Sequence, residues 1–490
     1  MQLYDKDLLS VQEVRELVDR AKKAQAELLG KSQAEIDAIV KTIADAGVRN
    51  SKRLAKLAHE ETGFGVEADK VIKNVFGSIG VYNAIKDMKT VGEISYDEEK
   101  KIRTVAVPVG VIAGLIPSTN PTSTVFYKAE ISIKAGNAII FSPHPNARNC
   151  ILEAVKVIRQ ALAEAGANED LVTCITIPTA QATDNLMKHP DVSLILATGG
   201  SAMVRAAYSS GTPAIGVGPG NGPAYIEKTA DLPLAVKRII DSKTFDNGTI
   251  CASEQSVVCE TDMEDAVRAE MEKQGAYFLT PLQIEKLGKF ILRANGTMNP
   301  MIVGRTAQDI ADLAEIDIPA GTKILVAKET GIGRGHPYSN EKLAPILAFY
   351  TADNFMEICD LCCSILHYEG AGHTFSIHTK NQELVKYFAE RVPASRIVVN
   401  TPSAMGGIGA STGLMPALTL GCGAIGGSAT SDNVGPMNLL NLKYVAEGIR
   451  EMEDIRADIP EVSCTSCSDE FKDVDLDKLV EEIVKRLRSI

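Results

Sequence analysis

No run of about 18 apolar residues, the length a helix needs to cross a bilayer, occurs anywhere in the chain, so a membrane-spanning role is excluded. A basic excess is missing as well: Lys and Arg number 51 against 63 Asp and Glu, a formal charge of −12. With no long basic run, nucleic acid and anionic membrane surfaces are poor partners, while a local pocket for a phosphate stays open. Residues Met1 to Ser10 are acidic and mixed, without a basic start and an apolar core, which reads against a signal peptide. The 39 glycines follow no period, excluding collagen-like or low-complexity sequence. Ten cysteines in 490 residues are too sparse for a disulfide scaffold. Several, such as Cys174 in LVTCITI and Cys259 in SVVCE, sit in apolar runs like buried small hydrophobes, and the implied compartment is a reducing cytoplasm.

What is present is ordinary globular sequence, 45% hydrophobic and 23% charged, long enough for two or three domains. The start is helical: Ser10 with Glu13 and Ser32 with Glu35 both fit a capping box, and Val11, Val14, Leu17, Val18 and Ala21 recur at helical spacing. A polar hairpin-like stretch follows over 94–107, closed by Pro108. From Gly110 to Val217, apolar runs at 110–116, 137–141, 171–177 and 192–198 alternate with helical stretches near 122–135, 147–165, 180–188 and 201–210. That alternation indicates an α/β protein with a parallel sheet, whose ligands bind beyond the carboxyl ends of the strands. The second half repeats the rhythm, with helices near 233–243, 263–273, 281–293 and 382–390, and strands near 256–259, 324–327, 346–350 and 397–400. A Gly-rich stretch at 406–427 has to form turns or line a site.

Four segments could carry chemistry. Phe245 to Gln255 (FDNGTICASEQ) sets Cys251 on a Gly-containing turn ahead of a strand. An exposed Cys there would have amides nearby to lower its pKa and hold an oxyanion, but spacing alone also fits a buried structural Cys. Thr198-Gly199-Gly200-Ser201 follows a strand and opens a helix, which suits a phosphate or an ordinary turn equally. Gly216 to Gly222 only superficially resembles a dinucleotide glycine loop, because Pro223 and a short strand follow it. His373, one of seven histidines, is flanked by glycines that allow close ligand approach. Cys359, Cys362 and Cys363 have helical core spacing, and Cys464 with Cys467 lacks a partner pair, so no metal site is expected.

Together these segments resemble the aldehyde dehydrogenase superfamily, and most closely its CoA-acylating branch, which includes the aldehyde half of bifunctional aldehyde-alcohol dehydrogenases. The matches run from about Val11 to Glu461 and in order: GVIAGLIPSTNPTST (110–124), IIFSPHPNAR (139–148), LATGGSAMVRAAYSSGTPAIGVGPGN (196–221), FDNGTICASEQSVV (245–258), EKLAPIL (341–347), YEGAGHT (368–374), and GGIGASTGL with LTLGCGAIGGSATSDN (406–433). Two departures separate the chain from the hydrolytic branch. Where those members carry a general-base Glu in Glu-Leu-Gly-Gly-Lys, this chain reads Val217-Gly218-Pro219-Gly220-Asn221. Where they carry a ribose-contacting Lys in Lys-Pro-Ser-Glu, it reads Ser142-Pro143-His144-Pro145. Without the base to activate water, a thioester lasts long enough for a thiol to attack it.

The resemblance implies a fold and a set of roles. The fold is a Rossmann-like cofactor domain (1–93 and 109–232), an α/β catalytic domain (233–433), a small β oligomerisation flap (94–108 and 434–462) and a linker with an amphipathic tail helix (463–490). Cys251 is the implied nucleophile, Asn120 and the Cys251 N–H the oxyanion donors, and His373 the base toward coenzyme A. NAD or NADP would lie along Ile116, Pro117, Ser118, Thr119, Ser142, His144, Thr198 to Ser201, Val217, Gly218, Glu341 and Leu343, with Glu341 on the nicotinamide ribose. The substrate is a short-chain aldehyde: acetaldehyde first, then propionaldehyde, succinate semialdehyde or sulfoacetaldehyde. The rivals are a hydrolytic enzyme with a relocated base and a non-catalytic scaffold. A homodimer or dimer of dimers is implied. The tail's Leu476, Leu479, Val480, Ile483, Val484 and Leu487 form one apolar stripe. It would dock on the protein's own assembly or on a bacterial microcompartment shell, placing the enzyme in the cytoplasm or inside such a compartment.

Overall fold

A computed structural model describes residues 5–458 and 475–487. The linker read over Ser463–Lys472, with Cys464 and Cys467, lies outside the described residues. Packing divides the chain into two units, one of residues 1–94 and 105–443 and one of 95–104 and 444–490.

Helix α1 (Lys6–Leu28) begins one turn earlier than the Ser10–Glu13 pair suggests. The Asp5 carboxylate accepts the N–H groups of Asp7 and Leu8, both at 2.9 Å, and so caps the helix first. Ser10 is instead buried inside α1 against Thr179. Glu13 reaches across to accept the N–H groups of Thr176 and Ile177. The second capping box, Ser32 with Glu35, forms as read at the start of α2 (Gln33–Thr62). Helix α3 (Glu67–Val75) runs through a π turn into α4 (Val81–Ile85). Strands β1 (Gly92–Asp97) and β2 (Ile102–Pro108) follow as the hairpin.

The alternating region is a five-stranded parallel sheet: β3 (Val111–Ile116), α5 (Pro121–Lys134), β4 (Ala138–Pro143), α6 (Arg148–Glu164), β5 (Val172–Cys174), α7 (Ala180–Met187), β6 (Val192–Thr198), α8 (Ser201–Ser209) and β7 (Ala214–Val217). The strand order is β5-β4-β3-β6-β7, so the chain starts at the centre, fills one side, then crosses to the other. That reversal is the Rossmann-type switch point, where a crevice opens at the strand ends. Every residue of β3 and β4 is buried, which explains their near-continuous apolar sequence: helices cover both faces.

A second parallel sheet has seven strands in the order β10-β11-β12-β9-β8-β13-β14. It comprises β8 (Pro223–Ile226), β9 (Ser256–Glu260), β10 (Ala276–Phe278), β11 (Ile324–Lys328), β12 (Ile346–Ala352), β13 (Gly372–His378) and β14 (Ala394–Val399). Besides β7 of the first sheet, sequence reading missed β10 and β13 here. The first is three residues long, and the second reads GHTFSIH, whose polar residues are all buried between neighbouring strands. Strand β15 (Leu440–Ala446) completes a three-stranded sheet in the order β1-β2-β15. No helix among the described residues is long and apolar enough to cross a membrane.

Phe141, in the middle of β4, is wholly buried within the core of the first sheet. Phe141→Ala should cost about 3–5 kcal/mol, the usual range for truncating a buried Phe. The measurement is chemical denaturation, and a loss under 1 kcal/mol would contradict this packing.

Candidate active site

Two sheet edges converge on one place. The carboxyl ends of β3, β6 and β7 deliver residues 117–120, 199–200 and 218–221. The amino ends of β9, β12 and β13 receive Cys251, Glu341 and His373. Strand ends predicted from the first sheet are therefore only half of the site.

Cys251 follows a turn in which Asp246, Asn247 and Gly248 all have positive φ (48°, 52° and 76°). Side chains hold this turn. Asp246 Oδ1 accepts the Val66 N–H at 2.7 Å, and Oδ2 accepts from Lys70 Nζ at 3.0 Å, from Thr249 Oγ1 at 2.7 Å and from Lys73 Nζ. Burial works against the Asp246 charge, but Lys73 and Lys70 outweigh it and keep the carboxyl below its ordinary range. Gly65 stands against this carboxylate: a Cβ there would lie 1.8 Å from Asp246 Oδ1, so only glycine fits.

Asn120 sits at the end of β3, just before α5, with Pro121 at the first helical position. Its Oδ1 accepts from Lys73 Nζ at 2.6 Å, and its Nδ2 lies 3.2 Å from the Thr249 carbonyl, two residues before Cys251. The 217–221 loop passes on the other side. A Cβ at Gly220 would stand 1.9 Å from the Cys251 carbonyl oxygen and 3.2 Å from His373 Cε1. Both Cys251 and His373 thus crowd the place a side chain at Gly220 would fill. The Gly220 N–H donates to Glu341 Oε1 at 2.8 Å.

His373 is fully buried at the start of β13. Its Nδ1 lies 3.0 Å from Thr374 Oγ1, and its Nε2 has no hydrogen-bond partner among the described residues. Burial, then the neighbouring Arg396 charge, pushes its pKa down to about 3, so the ring is neutral at pH 7. In the tautomer that donates from Nδ1 to Thr374, Nε2 offers a lone pair. Burial, followed by the Glu341 carboxylate, pushes the Cys251 thiol up to about 12, against a smaller opposite pull from Arg396. Glu341 is itself raised to about 8 by burial and then Glu369.

The remaining predicted residues line the first sheet's edge. Ile116 pairs with Pro143 and Thr198 with Val217, which aligns residues 116–119, 142–144 and 198–201 beside 217–218. Ser142 turns inward to Thr183 at 2.8 Å, whereas His144 is exposed. Helix α8 opens beyond β6 with no side-chain cap at Gly200. Its first N–H groups are thus available to a pyrophosphate, and the residues fit a dinucleotide. Leu343, at φ 46°, bends the chain after Glu341. Among the described residues no group of three or more metal-binding side chains occurs; Cys359 and Cys362 are buried on the helix over 355–368. Sequence reading missed Lys70, Lys73 and Asp69. Their signal was two lysines three apart on a short helix, a spacing that puts both on one face.

Residues 3–413 match the model of the aldehyde dehydrogenase family, and the chain belongs to that family. It is 46% identical over 448 residues to the bifunctional aldehyde-alcohol dehydrogenase AdhE of Escherichia coli K12, covering 90% of this chain and 50% of that protein. The chain thus spans about half the length of the curated relatives it first matches. A crystal structure of a probable aldehyde dehydrogenase from Listeria monocytogenes EGD-e superposes with a TM-score of 0.91 at 63% identity, covering 92% of this chain and all of that one. An acetylating aldehyde dehydrogenase from Geobacillus thermoglucosidasius gives 0.90 at 51% identity, with 92% and 99% covered. The propionaldehyde dehydrogenase of Rhodopseudomonas palustris, solved with bound CoA and an acylated cysteine, gives 0.79 at 27% identity, with 89% and 97% covered.

A thiol buried this far should react slowly near neutrality. Alkylation of Cys251 by iodoacetamide, followed by peptide mass spectrometry, should accelerate about tenfold per pH unit from about pH 7 to 10. A plateau below pH 8 would mean that the resting thiol is already ionised.

Proposed function

We propose that the protein is a CoA-acylating aldehyde dehydrogenase, reversibly converting a short-chain aldehyde, NAD(P)+ and CoA to acyl-CoA and NAD(P)H. One observation carries the reading: a partly buried cysteine beside an amide donor and a neutral imidazole, with Val217 where the hydrolytic branch has its general base. The likeness to a relative solved with CoA and an acylated cysteine supports it.

In this reading the Cys251 thiol, neutral at rest, gives up its proton to solvent and adds through its sulfur to the aldehyde carbonyl, while Asn120 Nδ2 and the Cys251 N–H hold the oxyanion. A nicotinamide dinucleotide, when bound, supplies the hydride acceptor. The α8 N-terminus would hold its pyrophosphate, and Glu341, which accepts the Gly220 N–H here, would take a ribose hydroxyl. Loss of hydride from the adduct leaves a Cys251 thioester. Val217, buried and apolar, gives water no base. His373 Nε2 takes the proton of the CoA thiol, whose ordinary pKa is near 8.5. The CoA thiolate then attacks the thioester, and the Cys251 thiolate departs. Acetaldehyde is the first-choice substrate. The domain roles follow: 1–93 and 109–232 for the cofactor, 233–433 for the catalytic cysteine.

Cys251→Ala should abolish both aldehyde oxidation and acyl-CoA reduction, because both pass through one thioester. Asn120→Ala should lower kcat by roughly 10²–10³, the scale for one oxyanion donor. His373→Ala should slow CoA-dependent turnover more than the single-turnover burst of NAD(P)H; equal losses would assign it an earlier or purely structural part.

Exposed apolar side chains support an assembly. Leu442, Tyr444, Val445 and Ile449, in and after β15, are all exposed in the single chain. We infer a homodimer or dimer of dimers joined through this flap, which monomeric mass at micromolar concentration would contradict. The tail helix Leu476–Leu487 exposes Val480, Ile483 and Val484 at helical spacing and needs a covering surface. Its occupant is the protein's own assembly or a microcompartment shell. If a shell, truncation after Ser463 should leave activity and Tm unchanged and abolish co-assembly. A large fall in Tm would show that the tail packs on the enzyme.

A further inference from the structure

The carboxamide of Asn120 has two different ends, an acceptor and a donor of nearly the same shape. A neighbour that only donates tells them apart. Lys73 is such a neighbour. Its ammonium carries three N–H groups and meets three acceptors: Asn120 Oδ1 at 2.6 Å, Thr249 Oγ1 at 2.9 Å, and Asp246 Oδ2. With the oxygen pinned on that side, Nδ2 has to face the Cys251 turn. There it lies 3.2 Å from the Thr249 carbonyl and 3.2 Å from Thr119 Oγ1, two long contacts that an oxyanion can displace. Rotated by half a turn, the amide would aim its own N–H groups at a buried cation.

The lysine is itself held. It is 3% exposed on α3, and Asp246 anchors it together with Lys70, one turn away. Asp69 on the same helix accepts the Asp246 N–H at 2.7 Å. Buried Lys70, Lys73 and Asp246, with the half-buried Asp69, thus join α3 to the turn before Cys251. Such a group is costly to desolvate unless its geometry is well satisfied, and here nearly every donor and acceptor is matched.

We propose that Lys73 is a positioning residue for the reaction, holding Asn120 in the one amide orientation that offers an N–H to the oxyanion at Cys251. This rests on the reading of Asn120 as an oxyanion donor. The alternative is that Lys73 only pins the 246–249 turn.

A double-mutant cycle separates these. Lys73→Met should slow the single-turnover burst of NAD(P)H by roughly 10–10², below the full loss of a donor, with the aldehyde KM within about threefold. In the Asn120→Ala background the same substitution should change the burst less than about twofold, since no amide is left to orient. Iodoacetamide alkylation of Cys251, which develops no oxyanion, should match wild type. If Lys73→Met does not fold, Lys73→Gln, which keeps a donor and removes the charge, enters the same cycle with a smaller loss that also vanishes without Asn120. Losses of equal size in both backgrounds, or an altered alkylation rate, would overturn the proposal in favour of the turn-pinning role. An unslowed burst in Asn120→Ala alone would instead remove the oxyanion reading beneath it.

Discussion

Backbone passes Cys251 so closely at Gly220 that a single added carbon would sit 1.9 Å from the cysteine's carbonyl oxygen. The loop carrying this glycine leaves the first sheet after β7 and enters the second at β8. It therefore joins the edge that suits a dinucleotide to the edge that carries the cysteine. Close approach is possible only without a side chain, and it sets the Gly220 N–H toward Glu341 and the loop face toward His373. Strand β7 ends at Val217, so this crossing also fixes the position at which the resemblance places the hydrolytic branch's carboxylate.

Burial on this scale has an electrostatic consequence. A resting thiol raised to about 12 and an imidazole lowered to about 3 are both neutral at pH 7. In the proposed reaction the cost of charge would be deferred to the moment at which an aldehyde oxygen takes it up and amide donors receive it. Lys70, Lys73, Asp69 and Asp246 neutralise one another behind the turn, whereas Glu341 and Arg396 act on the sulfur in opposite senses. Arg396 spends its guanidinium on the carbonyls of Gly372, His373 and Ser431, bracing β13.

The first sheet was legible because β3, β4 and β6 are covered on both faces, and their apolar runs are bounded by turn residues. Strand β13 was not: His373, Thr374, Ser376 and His378 are buried polar side chains, and no periodicity distinguishes them from a loop. Cys251, Asn120 and His373 were legible as family motifs, but spacing alone left Cys251 open between an exposed nucleophile and a structural thiol. The structure gives it features of both: it is partly buried and packed against the first core. Ser10 and Glu13 fit a capping box locally, and a better cap five residues earlier freed them for tertiary contacts. The Lys70–Lys73 spacing marked a shared helix face, but the part Lys73 plays was not legible, because its partners Asn120, Asp246 and Thr249 lie 47 to 176 residues away.

In the proposed reaction the acyl group on Cys251 waits for a thiol and not for water. Mixing enzyme, aldehyde and NAD(P)+ without CoA, then quenching and weighing the Cys251 peptide, tests it most directly. An acylated Cys251 that accumulates to one per active site, persists, and is discharged as acyl-CoA when CoA is added is the predicted result. Steady release of free acid without CoA, with no acylated peptide, would contradict it.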